Sequence, residues 1–200
     1  SRLAGNAIGR ADYQATVGIK RGYPELLITS DLKGLALTLP APFNKTANAS
    51  WPLRVETQLS KESQLPKSKL KQDQLRVSVG KLFNAVYVRD VSQSNAKVLS
   101  GAVQVGLAES AVARDSGVGL NLVSSYLDAD AWSSVLSQWT GVPVGIIRPA
   151  AKRGAKTPAT VVGIGAETAN ALDYVPTVLA IRAEQLKITD RVLHQVMLGG

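Results

Sequence analysis

Apolar residues recur at every second position over much of this chain, the period of a strand with one buried face. Tyr13, Ala15, Val17 and Ile19 alternate with Gln14, Thr16, Gly18 and Lys20. Gly22-Tyr23-Pro24 turns the chain, and Leu26 and Ile28 resume the alternation. The apolar set then moves from even positions, ending at Leu32, to odd ones at Leu35, Leu37 and Leu39. Such a change requires an extra residue or a turn, and Asp31-Leu32-Lys33-Gly34 suits either a bulge or a hairpin. Pro40-Ala41-Pro42 ends this strand, because proline donates nothing to a ladder. Further alternating runs follow at Trp51, Leu53, Val55 and Leu59, and at Leu75, Val77 and Val79. After a turn at Gly80-Lys81 the chain returns through Leu82 to Arg89. Leu99, Gly101, Val103, Val105 and Leu107 form a long run, and Val118, Leu120 and Leu122 another. Residues 43–50, 60–73 and 91–97 are polar and read as loops.

One segment changes period. Trp132, Val135, Leu136 and Trp139 fall at i, i+3, i+4 and i+7, one face of a helix of about three turns. Asp128 or Asp130 can cap its start, and the two tryptophans are expected to plug one end of the β core. Residues 140–172, rich in Gly, Pro and Ala, read as a linker. The β pattern then restarts at Val178 to Arg182, with a hairpin of Leu186-Lys187-Ile188 and Val192 to Leu198 around Thr189-Asp190-Arg191. The reading is a mainly β chain: a long antiparallel curled sheet, a β-groove or taco-like array, with one short helix near 129–139. Residues 1–139 form the groove segment and its terminal helix, 140–172 the linker, and 173–200 the start of the next β repeat.

Composition narrows the chemistry. Hydrophobic residues make up 45% and aromatics 5%, so the core is aliphatic, and there is no cysteine for disulfides or thiolate sites. The net charge is +8. The basic residues gather at Lys61, Lys67, Lys69 and Lys71 and at Arg148, Lys152, Arg153 and Lys156, in loop-like stretches without interleaved aromatics. They read as solvated loops and not as a nucleic-acid surface. No apolar run reaches the roughly 20 residues of a membrane span. Both ends read as cut, as expected of an excised piece.

Candidate catalytic constellations are few in this chain. His194 is the one histidine and has no second histidine or cysteine for a relay or metal. Asp128-Ala129-Asp130 offers paired carboxylates, but a helix start accounts for them more simply. Gly163-Ile164-Gly165 and Gly117-Val118-Gly119 do not extend to a phosphate-binding loop. The sequence thus predicts a protein that is not an enzyme and uses no cofactor or metal. What remains is the sheet: strands aliphatic on one face need a cover, a second sheet or an apolar ligand.

The stretch Gly22-Tyr23-Pro24-Glu25-Leu26-Leu27-Ile28-Thr29-Ser30-Asp31-Leu32-Lys33-Gly34-Leu35, running on through Leu39-Pro40-Ala41-Pro42-Phe43-Asn44-Lys45, resembles the YhdP family of AsmA-like bacterial envelope proteins. Trp51-Pro52-Leu53-Arg54-Val55, Leu127-Asp128-Ala129-Asp130-Ala131-Trp132 and the tail from Ala183 to Val196 are also similar to that family. The resemblance implies a segment of an inner-membrane-anchored, periplasm-spanning protein that binds or conducts phospholipid toward the outer membrane along an apolar groove. The alternative is a non-enzymatic envelope scaffold for assembly of outer-membrane proteins. Expected partners are phospholipid or another acyl-chain ligand, and other envelope proteins. The positions expected to line the groove are Tyr13, Ala15, Val17, Ile19, Leu26, Ile28, Leu35, Leu37, Leu53, Val55, Val77, Val103 and Val105.

Overall fold

The alternating runs become the ladders of one open sheet in the computed structural model, which describes residues 5–65, 68–109, 111–140 and 173–200. In chain order the elements are β1 (Ala7–Gly9), β2 (Gln14–Lys20), β3 (Tyr23–Ser30), β4 (Leu35–Thr38), β5 (Asn44–Lys45) and β6 (Leu53–Leu59). They continue with β7 (Gln72–Val79), β8 (Phe83–Asp90), β9 (Lys97–Val105), β10 (Gly117–Asp128), α1 (Ala129–Thr140), β11 (Val178–Ile188) and β12 (Arg191–Gly199). Nine strands pair in the order β12-β11-β10-β9-β8-β7-β6-β3-β2, while β1, β4 and β5 form a separate small sheet. At about 4.8 Å between neighbouring strands, nine strands extend roughly 38 Å across. Among the described residues, the first and last strands of the large sheet do not pair with each other, and each has one edge without a partner strand.

The sheet is mixed where the sequence reading expected antiparallel pairing. From β2 to β9 every pairing is antiparallel, but β10 runs parallel to both β9 and β11. Parallel neighbours need long connections, and both are present. The first, between β9 and β10, crosses the polar face of the sheet, where Ala111 packs on Val86 and Ala102. It leaves β9 at Gly106, which has a φ of +70° and lies against the Val123 carbonyl, where a Cβ would collide. The second begins with α1 on the apolar face; the predicted linker falls, from residue 141 to 172, outside the described residues. Beyond it, β11 joins the same sheet beside β10.

The parity change after Ile28 is neither a bulge within one strand nor a hairpin between neighbours. β3 pairs with β6 in the large sheet, whereas β4 pairs with β1 and β5 in the small one. The turn between them places Leu32 at φ +51° and Gly34 at φ +91°. Lys45 staples this excursion together: it is buried, and its ammonium donates to the carbonyls of Leu32 at 2.6 Å, Leu35 at 2.7 Å and Thr46 at 3.1 Å. One cation thus ties three carbonyls of the excursion together.

Two irregularities re-aim side chains. A bulge in β9 pairs Arg89 with Val98 and Val88 with Ser100. Val98, and not the expected Leu99, therefore joins the core, leaving Leu99 exposed. In β10–β12 the pairing skips Ser125, Glu184 and Gln195 together, with Gln195 at φ +51°. Beyond this line the buried positions move by one residue, to Leu127 and Leu186, which pack with Ala129, Ala183 and Trp132.

Helix α1 starts where the sequence places it. Asp128 accepts a hydrogen bond from the Ala131 N–H at 2.9 Å and so caps the helix. Asp130 accepts instead from the Thr189 N–H in the β11–β12 turn, tying the helix to that hairpin.

Candidate functional site: an apolar sheet face

Residues facing each other across a ladder lie on one side of the sheet, so the registers define the rows of a single apolar face. One row runs through Ala15, Ile28, Val55, Val77, Ala85, Val103, Leu120 and Leu179, across eight successive strands. A second runs through Val17, Leu26, Thr57, Leu75, Tyr87, Gly101 and Val118. A third runs through Ser30, Leu53, Val79, Phe83, Val105, Leu122, Ile181 and Leu198. The opposite face is polar over β6 and β7, with Arg54 and Glu56 paired at 3.0 Å and Arg76 donating to Gln74, and on β8 it turns apolar at Val86.

Ten of the thirteen expected groove residues therefore lie in these rows or, for Ile19, on the same face of β2 opposite Pro24. Leu35 and Leu37 do not; they sit in β4 of the small sheet. Tyr13 precedes β2 and stays largely exposed.

Exposure along this face is uneven. Val103 and Val105 are 7% and 3% exposed, whereas Val17 and Ile19 on the edge strand are 66% and 81% exposed. The middle is covered by residues from outside the sheet. Phe43 packs edge-on against Phe83, with ring centroids 6.2 Å apart, and against Trp132 at 5.8 Å. Trp132 Nε1 donates to the Ala41 carbonyl at 2.8 Å. Tyr174 packs edge-on against Tyr87 at 5.0 Å, and the Tyr87 hydroxyl donates to its carbonyl at 3.3 Å. Tyr87 itself lies over Gly101, where an added Cβ would stand 2.6 Å from the Tyr87 ring. The expected Trp plug is thus Trp132 acting with Phe43; the Trp139 side chain lies outside the described residues.

One charged pair interrupts the aliphatic face. Arg89 makes two hydrogen bonds to Asp73, at 2.9 and 2.6 Å, and its Nη1 donates to the Tyr174 hydroxyl at 3.3 Å. Their side chains are only 14% and 11% exposed. Burial pulls the Arg89 pKa down, but the hydrogen bonds to Asp73 and Tyr174 outweigh it and hold the guanidinium above its ordinary value. Burial, followed by the nearby Tyr174, raises the Tyr87 phenol, which stays protonated and able to donate. Sequence reasoning missed Asp73, Arg89, Tyr87, Phe43 and Tyr174. Parity places Asp73, Tyr87 and Arg89 on the apolar face, and two charges at core parity were the available signal. Phe43 and Tyr174 lie in loops, where no period applies.

The other candidates for chemistry stay apart. His194 is exposed on β12 opposite Gln185. No group of three or more His, Cys, Asp or Glu that could hold a metal occurs among the described residues. Among them, too, no helix is long and apolar enough to cross a membrane. The first basic cluster lies in the β6–β7 connection, with Lys67 outside the described residues and Lys71 over the Tyr23 ring at 5.9 Å; the second lies wholly outside them.

No curated protein and no solved structure matches the chain. A family model described as YhdP protein matches residues 2–200. This match covers nearly the whole chain and associates it in general terms with lipid transport in the bacterial envelope. The chain belongs to the YhdP family, a non-enzymatic family of AsmA-like bacterial envelope proteins.

Proposed function

We propose that this chain is a length of an apolar trough along which phospholipid acyl chains are bound and conducted between the membranes of the envelope. In this reading it works in the periplasm and is held at the inner membrane by parts of the protein outside this segment. The supporting observation is the set of registered rows: aliphatic side chains from successive strands form one face across the large sheet. Each CH2 moved out of water onto such a face is favoured by about 0.8 kcal/mol, so a continuous apolar face lowers the barrier for an acyl chain crossing an aqueous compartment. Headgroups would stay at the rims, among loops. Tyr13, Ala15, Val17, Ile19, Leu26, Ile28, Leu53, Val55, Val77, Val103 and Val105 are the proposed trough positions, with Leu35 and Leu37 set apart in the small sheet.

A second reading draws on the free edges. Among the described residues, β2 and β12 leave one side of each strand unpaired and carry exposed apolar residues, among them Val17, Ile19, Val192 and Met197. Such edges can accept a strand from an outer-membrane protein precursor. Mass spectrometry of the gently purified full-length protein separates the two. Bound phospholipid, lost when Val17 or Ile28 becomes Asp, supports the trough; outer-membrane precursors without lipid support the scaffold and reject the trough.

A further inference from the structure

The flank of the apolar face and its middle differ in what covers them. At the β2 flank, Val17, Pro24, Leu26 and Leu59 line an open cleft of about 430 Å³ together with Val91 and Ala96 of the β8–β9 loop. That volume lies within the roughly 300–1,000 Å³ of small-molecule sites. Asp73 and Arg89 line the same cleft from β7 and β8, the strands nearest the middle of the sheet. Inward of the cleft, two aromatic contacts cover β8–β10: Phe43 and Trp132 over Phe83, and Tyr174 over Tyr87. The covering residues come from the β4–β5 loop, from α1 and from the segment leading into β11, and none belongs to a strand of the large sheet.

Resting on the trough reading above, we propose that the β2-flank cleft is a holding site for an acyl chain, and that the aromatic bridge of Phe43, Trp132 and Tyr174 is its inner stop. A chain moving inward along the row of Leu59, Asp73 and Arg89 meets a charged pair whose hydrogen bonds it cannot replace. Along the Val17–Val118 row it meets the Tyr87–Tyr174 contact, and along the Leu53–Leu198 row it meets Phe43 and Trp132. Between them, Ala85 and Val103 of the Ala15–Leu179 row are buried in the cluster that Phe43 and Tyr174 pack against, so passage across β8–β10 requires the bridge to lift. The bridge is suited to that at Phe43 and Tyr174, which meet the sheet through edge-on ring contacts and, for Tyr174, two hydrogen bonds and not through ladders, while Trp132 stays packed on Leu127 and Leu186.

The test uses the full-length protein incubated with a phospholipid bearing a photoreactive diazirine at the end of one acyl chain, with adducts mapped by peptide mass spectrometry. In the unaltered protein, adducts are expected on residues 13–30 and 91–96 and not on 83–87, 101–105 or 117–122. Tyr174→Leu, Phe43→Leu and the two together keep the positions apolar while removing the ring contacts to Tyr87 and Phe83. With the fold verified by circular dichroism, each should admit label to the central strands. Equal labelling of centre and flank in the unaltered protein overturns the closed bridge. Folded variants whose centre stays unlabelled overturn its role as the stop. Labelling of no strand on the apolar face rejects the trough reading itself, and is distinct from both of those results.

Discussion

At the scale of single residues, the apolar face depends on a few positions where size or charge is tightly constrained. Gly101 lies beneath the Tyr87 ring, and an added Cβ would stand 2.6 Å from it, so Gly101→Ala must displace the ring that carries Tyr174. Overpacking of this kind costs about 1–3 kcal/mol, to be read as a lowered urea midpoint at unchanged slope. The Asp73–Arg89 pair behaves differently when one partner or both are removed. Asp73→Ala leaves a nearly buried guanidinium without its carboxylate and is expected to cost about 3 kcal/mol, the lower end for a buried pair because Arg89 keeps the Tyr174 hydroxyl. Replacing both, Asp73→Leu with Arg89→Met, is expected to be close to neutral, since the desolvation penalty goes with the charges. A double change as damaging as Asp73→Ala would show that the pair sets the local packing itself. None of this was readable from the sequence beyond parity, because a ring over a glycine is a contact between strands.

At the scale of elements, the start of α1 is the best-specified feature. Asp128 caps the helix through the Ala131 N–H and pairs with Lys187 of β11 at 3.0 Å. Asp128→Ala should cost about 1 kcal/mol, whereas Asp128→Asn keeps a capping oxygen and should cost less. The hydrogen bond from Ala131 lowers the Asp128 pKa against the opposing effect of burial, and Lys187 lowers it further. A carboxyl whose pKa is lower folded than unfolded stabilises the fold above its unfolded pKa, near 3.9. That contribution is lost as pH falls through the folded pKa. Between pH 7 and 3, Asp128→Asn should therefore flatten part of the decline in stability, and an unchanged acid limb would show that other carboxylates account for it. Trp132 reaches across from the helix to Phe43 and Ala41, and it is half-buried. Trp132→Ala is expected to cost about 2–3 kcal/mol, below the 3–5 of a fully buried ring. Trp132→Phe, which loses the Nε1 hydrogen bond, should cost about 1 kcal/mol.

At the scale of the whole molecule, the uneven cover of one face makes two equivalent-looking positions respond in opposite ways. Val17 and Val103 both face the apolar side, but Val17 is 66% exposed at an edge and Val103 is 7% exposed under the bridge. Val17→Asp should leave the thermal midpoint nearly unchanged, within the ~0.5 kcal/mol typical of surface sites, while weakening lipid capture. Val103→Asp buries an unpaired carboxylate and should unfold the chain or lower its stability by several kcal/mol. Similar stability for the two variants would mean that the centre is as open as the flank. By itself the sequence determined the mainly β content, the position of most strands of the large sheet, an aspartate cap at 128 or 130 and which side chains of a strand share a face. Each follows from local geometry: a strand alternates sides, a helix repeats every 3.6 residues, and a carboxylate meets free N–H groups. Only the tertiary structure decided that β10 runs parallel to both neighbours, that Leu35 and Leu37 leave the large sheet, that Val98 replaces Leu99 in the core, and that Phe43, Trp132 and Tyr174 cover the middle of the face. These depend on which distant segments meet. The alternation of apolar and polar residues fixes the side of a strand but not its neighbour, its direction or the loop that comes to lie over it.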